Sequence, residues 1–259
     1  MRGAKMSGME IDLSGKVALV TGGSRGIGMA IAMSMAEKGA RVAISGRKQE
    51  NLDRAAADFK ERHLQVLAVS ANAGQAGQVD SLFSVLDREL GGVDILVNNV
   101  GTNILTPSVA EADEGLFDKL METNLKSAFL ASAQAVKRMK KRGGGKIINI
   151  SSIAARKAAR GMGIYCVAKA GLEMLTKVLA QELAPDRINV NAVAPSVVKT
   201  KFSQPFWSNE SILNEILKTI PMGRIAETSD VVGAVLFLAS SLSDFITGEI
   251  INIDGGSLA

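Results

Sequence analysis

Short apolar runs alternate with longer segments of mixed polarity along this 259-residue chain. Consecutive apolar positions, as opposed to an apolar–polar alternation, are typical of strands that are covered on both faces of a sheet. We predict seven such strands, at residues 17–20, 41–45, 64–69, 93–97, 146–150, 187–193 and 249–253. The segments between them predict helices at residues 27–36, 51–62, 78–90, 114–141, 164–183 and 229–240.

The regular succession of strands and helices indicates an α/β fold, a doubly wound parallel sheet of about seven strands with helices on both faces. We find no internal repeat, linker or low-complexity segment, so residues 1–259 are predicted to form a single domain. In such sheets ligands bind beyond the carboxyl ends of the strands. The informative polar residues are therefore those that follow predicted strands.

Composition narrows the class of protein. Hydrophobic residues make up 47% of the chain and charged residues 22%, which is typical of a globular protein. The net charge of +4 is not gathered in one long basic run, which argues against nucleic-acid binding. No apolar run approaches the ~18 residues of a membrane span, and the single cysteine favours a reducing compartment. We therefore expect a cytoplasmic protein, with residues 1–10 as a frayed start instead of a signal peptide.

Three glycines, Gly22, Gly26 and Gly28, occupy the turn between the first predicted strand and helix. Gly22 allows a tight turn, Gly26 allows a ligand to approach the backbone, and Gly28 allows the helix to contact the strand. The N-terminus of the helix adds free N–H groups and the positive end of a dipole. The spacing therefore indicates a pyrophosphate site, although an ordinary turn is the alternative.

The end of the second predicted strand reads Ser45-Gly46-Arg47-Lys48 and contains no carboxylate. A site for NAD(H) usually has an acidic residue there, about 20 residues after the glycines, that binds the ribose hydroxyls. The planar guanidinium of Arg47, with Arg25 of the glycine loop and the Ser45 hydroxyl, would instead bind a 2′-phosphate. These residues favour NADP(H) over NAD(H). The alternative is a solvated arginine and lysine at the start of a surface helix.

Tyr165 is the only tyrosine of the chain, and Lys169 follows it at a spacing that places both side chains on one face of a helix. A phenol with an ordinary pKa near ~10 needs neighbouring positive charge to act as an acid or base near neutral pH. Lys169 and a cationic nicotinamide ring would supply that charge. Ser152 ends the fifth predicted strand and would donate a hydrogen bond to a substrate oxygen. The alternative is that Tyr165 and Lys169 are ordinary surface residues.

These residues belong to a longer series of motifs in a fixed order. The series consists of Thr21-Gly22-(three residues)-Gly26-Ile27-Gly28, Asn98-Asn99-Val100-Gly101, Asn124, Ser152, Tyr165-(three residues)-Lys169 and Pro195-Ser196-Val197-Val198-Lys199-Thr200. In order and spacing it resembles the motif series of the short-chain dehydrogenases/reductases, and the resemblance spans about residues 13–257. It implies a single-domain Rossmann fold and an oxidoreductase with a nicotinamide cofactor.

The resemblance also implies a catalytic tetrad of four residues. Tyr165 would donate a proton to a carbonyl, and Lys169 would lower the pKa of Tyr165 and bind the nicotinamide ribose. Ser152 would orient the substrate, and Asn124 would hold a water in a proton relay. The cofactor-binding residues that we predict from these motifs and from the glycine loop are Gly22, Ser24, Arg25, Gly26, Ile27, Gly28, Ser45, Arg47, Asn72, Asn98, Val100, Tyr165, Lys169, Pro195, Val198 and Thr200.

Within this set the resemblance implies particular contacts. Val198 and Thr200 would contact the nicotinamide carboxamide, and Asn98 would contact the adenosine side of the cofactor. Three positions depart from the family pattern, namely Val100 in place of the usual alanine, Asn72 in place of an aspartate near the adenine, and Ser196 in place of a common glycine. None of them removes a chemical group of the tetrad.

Residues 199–224 form the longest stretch outside the alternation and contain Phe202, Phe206 and Trp207. The resemblance identifies this stretch as a variable lid over the substrate that would exclude water. Packing in the core and contact with another subunit are the alternatives.

A basic cluster of Arg156, Lys157 and Arg160 lies between Ser152 and Tyr165. Next to the predicted site it would attract an anionic substrate, such as a carboxylate or the phosphates of a thioester carrier. A solvated basic face is the alternative. We expect no metal site, because the single histidine ends a predicted surface helix and the single cysteine has no histidine near it in sequence.

The leading hypothesis is an NADP(H)-dependent oxidoreductase that interconverts a ketone and a secondary alcohol. Within that class, a 3-oxoacyl-thioester reductase competes with a reductase of small carbonyl compounds or sugars. An NAD-linked alcohol or sugar dehydrogenase and a cofactor-binding regulator without turnover are the alternatives. The resemblance also implies a homotetramer or homodimer formed through helices at 114–142 and 164–183. Four small residues would permit close packing there, Ala128, Ala131, Ser132 and Ala135.

Overall fold

The structure is a computed structural model that describes residues 10–106 and 108–259. Most of the predicted frayed start, positions 1–9, lies outside the described residues. The strands are β1 Val17–Thr21, β2 Arg41–Gly46, β3 Val66–Ser70, β4 Ile95–Asn98, β5 Gly145–Ile150, β6 Ile188–Pro195 and β7 Ile250–Ile253. The α-helices are α1 Gly26–Glu37, α2 Gln49–Glu61, α3 Ala76–Leu90, α4 Glu114–Met121, α5 Ser127–Arg142, α6 Gly163–Leu183, α7 Gln204–Trp207, α8 Glu210–Leu217 and α9 Thr228–Ala239.

The seven strands form one sheet in the order β3-β2-β1-β4-β5-β6-β7, and every neighbouring pair is parallel. This confirms the predicted doubly wound α/β fold. The chain starts in the middle of the sheet at β1, runs outward to β3 and returns to β4 on the other side of β1. The carboxyl ends of β1 and β4 therefore flank the crevice in which such sheets bind ligands.

Alternate residues of each strand enter two hydrophobic cores on opposite faces of the sheet. In β1, Ala18 and Val20 pack with apolar residues of α1, α2 and α9, whereas Leu19 packs with those of α3, α5 and α6. Phe59 of α2 and Phe83 of α3 are completely buried, one in each core. Burial on both faces explains why the strands appear in the sequence as continuous apolar runs.

The small residues on α5 do not form the subunit contact that the sequence predicts. Ala128, Ala131, Ser132 and Ala135 are all buried within the chain, at 3% exposure or less. Ala131 and Ala135 belong to the core between α5 and the sheet. Their small size lets the helix approach its own sheet, so their assignment to a helix–helix contact between subunits is wrong.

The predicted lid contains two short helices, α7 and α8, between β6 and α9. Phe202 is 51% exposed and Ile212 is 43% exposed, so these apolar side chains do not belong to the core. Core packing was one interpretation of residues 199–224, and it is wrong for these two side chains. A lid and a subunit contact both stay compatible with the exposed apolar surface.

No helix within residues 10–106 and 108–259 is both long enough and apolar enough to span a bilayer.

Candidate active site

The glycine loop lies between β1 and α1 at the carboxyl edge of the sheet. Gly22 and Gly26 have φ angles of 65° and 56°, in the left-handed region that favours glycine. A Cβ at Gly28 would overlap the side-chain amide of Asn99 and lie 2.6 Å from the carbonyl oxygen of Gly22. Two glycines are therefore required by backbone conformation and the third by close packing.

Asn99 holds the glycine loop against the end of β4. Its backbone N–H donates to Thr21 Oγ1 over 3.1 Å, and its Nδ2 donates to the carbonyl oxygens of Thr21 over 3.1 Å and Gly22 over 3.0 Å. The sequence motif contains Asn99, but its spacing gives no role to this side chain. The structure assigns it to shaping the loop.

The loop fits the pyrophosphate of a dinucleotide. Helix α1 begins at Gly26 after an extended Arg25, and no side chain accepts from its first N–H groups. Its first turn contains no acidic residue that would repel an anion. A Cβ at Gly26 would lie 3.6 Å from Thr200 Cγ2, so the bare backbone of Gly26 faces the loop after β6.

The ends of β1 and β2 adjoin each other, as the predicted phosphate site requires. The N–H of Gly23 donates to the carbonyl oxygen of Ser45 over 3.2 Å, and Ser24 Oγ lies 3.4 Å from the point where a Cβ at Gly46 would be. Arg25 and Arg47 are both exposed, and neither forms an ion pair in the described part of the chain. Both guanidinium groups are therefore available to an anion.

Ser45 does not fit its predicted role. The residue is only 1% exposed because it is the fifth residue of β2, an interior strand that pairs with β1 and β3. Its hydroxyl therefore does not face a phosphate at the protein surface, and its assignment to the 2′-phosphate site is wrong.

Asn98 is also placed differently from the prediction. Its Nδ2 donates to Asn149 Oδ1 over 2.8 Å and to Ser132 Oγ over 3.1 Å, and the residue is 4% exposed. Its Oδ1 is buried without a partner among the described residues. Because the side chain points into the interior between β4, β5 and α5, the predicted contact of this side chain with the adenosine is wrong.

Two other predicted cofactor residues follow strands at the same edge. Asn72 comes after β3 and is half-buried, and its Oδ1 accepts from the N–H of Gly74 over 3.1 Å. Its amide nitrogen stays available for a ligand. Val100 Cγ2 lies 3.3 Å from the point where a Cβ at Gly22 would be, so this valine fills space next to the glycine loop.

Asn124 lies in a π-helical turn, Glu122–Lys126, that joins α4 to α5. Its Nδ2 donates to the carbonyl oxygens of Leu120 over 2.9 Å and Thr102 over 2.8 Å, and its Oδ1 accepts from the N–H of Thr102 over 3.1 Å. The sequence predicts one uninterrupted α-helix here. In the structure, one wider π-helical turn interrupts that helix at the predicted catalytic residue. Such π-turns occur frequently at functional sites.

Lys169 and Tyr165 lie on the first turns of α6, beside the end of β5. Lys169 is 3% exposed, and its Nζ donates to the carbonyl oxygen of Ile150 over 2.8 Å. The same Nζ lies 5.7 Å from the centre of the Tyr165 ring. A Cβ at Gly101 would lie 3.5 Å from Lys169 Nζ and 3.1 Å from Asn124 Oδ1, so the missing side chain of this glycine leaves space beside two otherwise buried groups.

The protein by itself does not lower the pKa of Tyr165. Enclosure of the ring raises the pKa of Tyr165 to about 12, although an edge of the residue stays exposed, and the Ser152 hydroxyl acts in the opposite direction. Burial also lowers the pKa of Lys169 to about 8. The sequence analysis assigns a lower pKa of Tyr165 to Lys169 together with a cationic nicotinamide ring, so that lowering stays a prediction for the protein with its cofactor bound.

The loop after β6 is shaped by Ser203, which the sequence did not identify. The hydroxyl of Ser203 donates to the carbonyl oxygen of Val198 and contacts Thr200 Oγ1 at 3.3 Å. Trp207 Nε1 donates to the carbonyl oxygen of Thr200 over 3.2 Å. Pro195 is the last residue of β6, so the predicted cofactor residues of this segment start at the same strand edge as the glycine loop.

Arg156 of the basic cluster is already engaged. Its Nε donates to Glu173 Oε2 over 3.0 Å, and its Nη1 donates to Asn252 Oδ1 over 3.0 Å. An arginine held in this way is not free to attract a substrate, so that interpretation is wrong for Arg156. Lys157 and Arg160 are exposed and form no ion pair with any described residue.

The described residues contain no cluster of histidine, cysteine, aspartate and glutamate side chains that could hold a metal ion. His63 is exposed at the C-terminal end of α2, and Cys166 is partly buried next to Tyr165.

Comparisons with known proteins agree with this geometry. A family model described as enoyl-(acyl carrier protein) reductase matches residues 22–257. The human protein named dehydrogenase/reductase SDR family member 4 is 39% identical over 245 residues, which cover 95% of this chain and 88% of that protein.

Solved structures are similar over nearly the whole chain. A putative short-chain alcohol dehydrogenase from Sinorhizobium meliloti has a TM-score of 0.91 at 38% identity, over 96% of this chain and 98% of that chain. A gluconate 5-dehydrogenase from Burkholderia cenocepacia, crystallised with NADP and tartrate, has a TM-score of 0.91 at 31% identity, over 95% and 96% of the two chains. The parallel sheet, the glycine loop and these similarities together support a nicotinamide cofactor. The chain belongs to the short-chain dehydrogenase/reductase family and is an oxidoreductase that acts on CH–OH and C=O groups.

Proposed function

We propose that this protein interconverts a ketone and a secondary alcohol by NADP(H)-dependent hydride transfer, with Tyr165 as acid and base. The observation that carries the proposal is the convergence of two groups of residues at one edge of the sheet. Tyr165, Lys169 and Asn124 adjoin the ends of β4 and β5, and the uncapped N-terminus of α1 lies at the end of the neighbouring strand β1.

In the direction of reduction, Tyr165 donates its hydroxyl proton to the carbonyl oxygen. When bound, the nicotinamide supplies the hydride and, once oxidised, a positive charge that stabilises a tyrosinate. Ser152, whose hydroxyl interacts with Tyr165, donates a hydrogen bond to the same substrate oxygen as negative charge develops on it. Because its pKa is about 8, Lys169 is mostly protonated at neutral pH and favours the tyrosinate that remains.

Asn124 maintains the shape of the site. Through its three hydrogen bonds with Leu120 and Thr102 it fixes the segment after β4 and leaves the edge of its Oδ1 beside Gly101. A water bound there would connect Lys169 to solvent and let Tyr165 recover its proton. The family resemblance supports this role for Asn124.

NADP(H) is the preferred cofactor in this proposal. The end of β2 carries no carboxylate. Arg25 and Arg47 are exposed on two adjoining loops, and neither has an ion-pair partner among the described residues. The similar gluconate 5-dehydrogenase was crystallised with NADP. An NAD-linked alcohol or sugar dehydrogenase is the alternative, and a direct comparison of the two cofactors distinguishes them.

The substrate class is narrowed by the side chains at the mouth of the site. Of the basic cluster, only Lys157 and Arg160 stay free, which weakens the argument for the phosphates of a 3-oxoacyl thioester. Leu105 and Val109, 59% and 54% exposed, lie against the glycines that precede Tyr165. These apolar residues favour a carbonyl compound with an apolar substituent, and the thioester stays the second candidate because the matching family model is named for acyl-carrier-protein substrates.

The proposal is tested by following NADPH oxidation with a panel of carbonyl compounds. The panel contains aromatic and aliphatic ketones, diketones, 3-oxoacyl thioesters, an enoyl thioester, keto acids and keto sugars, and each is compared with NADH. We expect turnover of at least one ketone, reduced about 10²–10⁴-fold in Tyr165→Phe because the phenol is the proton donor. Turnover that survives in Tyr165→Phe, or binding of NADPH with no turnover of any carbonyl or alcohol, contradicts the proposal and supports a cofactor-binding regulator.

We also propose that the protein forms a homodimer or homotetramer and acts in the cytoplasm. A groove of about 810 Å³ on the outer faces of α4, α5 and α6 is lined by Met121, Leu125, Phe129, Met174 and Val178, among others. An apolar groove of this kind is typical of an interface between protein chains. The single cysteine supports a reducing compartment.

A further inference from the structure

Glu173 occupies an unusual position for a carboxylate, one turn beyond Lys169 on the buried face of α6. The residue is 7% exposed. Its Oε1 accepts from Ser151 Oγ over 3.2 Å, and its Oε2 accepts from Arg156 Nε over 3.0 Å. Nη1 of Arg156 donates a further hydrogen bond to Asn252 Oδ1 on β7 over 3.0 Å. We call Glu173, Ser151, Arg156 and Asn252 the Glu173 network.

The Glu173 network encloses the backbone that carries Ser152. Ser151 precedes Ser152 directly, and Arg156 follows the short 3₁₀ turn Ile153–Ala155 that Ser152 caps by accepting from the N–H of Ala154. Contacts on both sides of Ser152 therefore lead to the same carboxylate.

Glu173 also acts in parallel with Lys169. Lys169 Nζ donates to the carbonyl oxygen of Ile150, and Glu173 accepts from the hydroxyl of the next residue, Ser151. Two side chains one helical turn apart thus tie α6 to two consecutive residues at the end of β5. The distance between Tyr165 on α6 and Ser152 after β5 depends on both ties.

The burial of Glu173 indicates that its carboxylate serves to orient its hydrogen-bond partners. A carboxylate loses solvation on burial, and a buried ion pair of this kind adds little stability compared with apolar residues of similar size. A buried, charged and hydrogen-bonded group does fix the orientation of its partners, because each oxygen of the Glu173 carboxylate accepts from one defined donor. Sequence analysis did not identify this role, because Arg156 appears there only as one of three residues of a basic cluster.

We propose that Glu173 is a positioning residue that holds Ser152 at its working distance from Tyr165 through Ser151 and Arg156. The inference rests on the proposed function, in which Ser152 and Tyr165 contact the same substrate oxygen. Displacement of a catalytic group by about 1 Å costs on the order of 10²-fold in rate. We therefore expect the rate of the chemical step, and not cofactor binding, to depend on the Glu173 network.

The test compares Arg156→Leu and Glu173→Leu with Arg142→Leu as the matched control. Arg142 pairs with Asp94 at the opposite edge of the sheet, and its side chain is 34% exposed against 36% for Arg156. We expect both network variants to lower kcat about tenfold, with the dissociation constant of NADPH unchanged within twofold. The double variant should be no slower than Glu173→Leu alone, because that substitution already removes the contact between Glu173 and Arg156. Arg142→Leu should lose a similar amount of thermal stability and keep its kcat.

Hydrogen–deuterium exchange of residues 150–157 gives a second readout that needs no substrate. We expect faster exchange in Arg156→Leu and Glu173→Leu and no change in Arg142→Leu. If both network variants keep the kcat and the exchange rates of the wild type, the inference is wrong. A wild type without turnover would contradict the proposed function, and the exchange data would still decide whether Glu173 fixes this segment.

Discussion

At the scale of single residues, the arginines fall into two groups, those that form ion pairs within the described residues and those that do not. Six arginines form ion pairs within the described residues, among them Arg156 with Glu173. Arg25 and Arg47 form none and lie on neighbouring loops at the carboxyl edge of the sheet. In the proposed function, these two free guanidinium groups would bind the 2′-phosphate of NADP(H).

Replacement of Arg47 is expected to change the cofactor preference. In Arg47→Asp the dissociation constant of NADPH should rise at least ~10-fold, since a hydrogen bond to a charged group contributes about 1.5–3 kcal/mol. The dissociation constant of NADH should fall or stay the same, because the carboxylate can accept from the ribose hydroxyls. Fluorescence titration of both cofactors measures this. Arg62→Asp, at the far end of the adjoining helix, is the control and should leave both constants unchanged.

The buried Lys169 makes stability depend on pH. Burial lowers the pKa of Lys169 from 10.5 to about 8, so above pH 8 the native state releases a proton that the unfolded chain keeps up to about pH 10.5. The free energy of unfolding should therefore rise by about 2 kcal/mol between pH 7 and pH 9.5 relative to Lys169→Met. Urea denaturation of both proteins across this range measures the difference. Parallel pH profiles for the two proteins would show that Lys169 has an ordinary pKa.

At the scale of elements, two local irregularities build the site. The glycine loop brings backbone close to Asn99 and Thr200, and the π-turn Glu122–Lys126 directs Asn124 to the segment after β4. Both irregularities interrupt otherwise regular βα units. Regular elements supply the edge of the sheet and, in α6, Tyr165 and Lys169, whereas the irregular turns supply the glycine loop and Asn124.

A single methyl group at Gly28 should disturb the loop. In Gly28→Ala the new Cβ overlaps the Asn99 amide, and overpacking of this kind costs about 1–3 kcal/mol. We expect a lower free energy of unfolding and weaker NADPH binding, because Asn99 must release the carbonyl of Gly22. Gly77→Ala is the matched control, since nothing lies within 4 Å of a Cβ there and the alanine favours α3 by about 0.5–1 kcal/mol. Equal stability of both variants would contradict the close packing at Gly28.

At the scale of the whole molecule, the two faces of the sheet are covered and a further apolar surface lies outside them. Phe129 of α5 is 53% exposed, and Met174 and Val178 of α6 are 59% and 42% exposed. Small residues of α5 face the sheet, so large ones are left on the outer side. Assembly through this surface would bury it and would also support the helix that carries Tyr165 and Lys169.

The proposed assembly predicts the effect of a charge on the apolar surface. Phe129→Glu should shift the protein toward a smaller species in size-exclusion chromatography with light scattering, because burial of an ionised carboxylate in an apolar contact costs desolvation free energy. Lys137→Glu introduces the same group farther along α5 at an exposed position and should leave the assembly intact. A monomeric wild type, or a Phe129→Glu variant of unchanged mass, would contradict assembly through this face.

The sequence by itself determined the seven strands and most of the helices, and it indicated which side chains are candidates for the chemistry. Continuous apolar runs indicated strands buried on both faces, and the glycine spacing indicated a tight turn after β1, which the positive φ angles of Gly22 and Gly26 confirm. The spacing of Tyr165 and Lys169 placed both on one face of α6. These properties depend on local periodicity and on the residue types themselves, so a single chain is sufficient to show them.

The tertiary structure alone decided which polar groups are free and which are engaged. Three side chains have the right chemistry to bind a ligand but are not free to do so. Ser45 is buried, Asn98 is hydrogen-bonded to Asn149, and Arg156 is paired with Glu173. Glu173 had no role in the sequence because its partners, Ser151 and Arg156, lie about 20 residues away in the chain. Burial also raises the pKa of Tyr165 in the protein by itself, which the spacing of Tyr165 and Lys169 does not indicate. Burial and long-range contacts arise only when the chain is folded, which is why sequence patterns do not contain them.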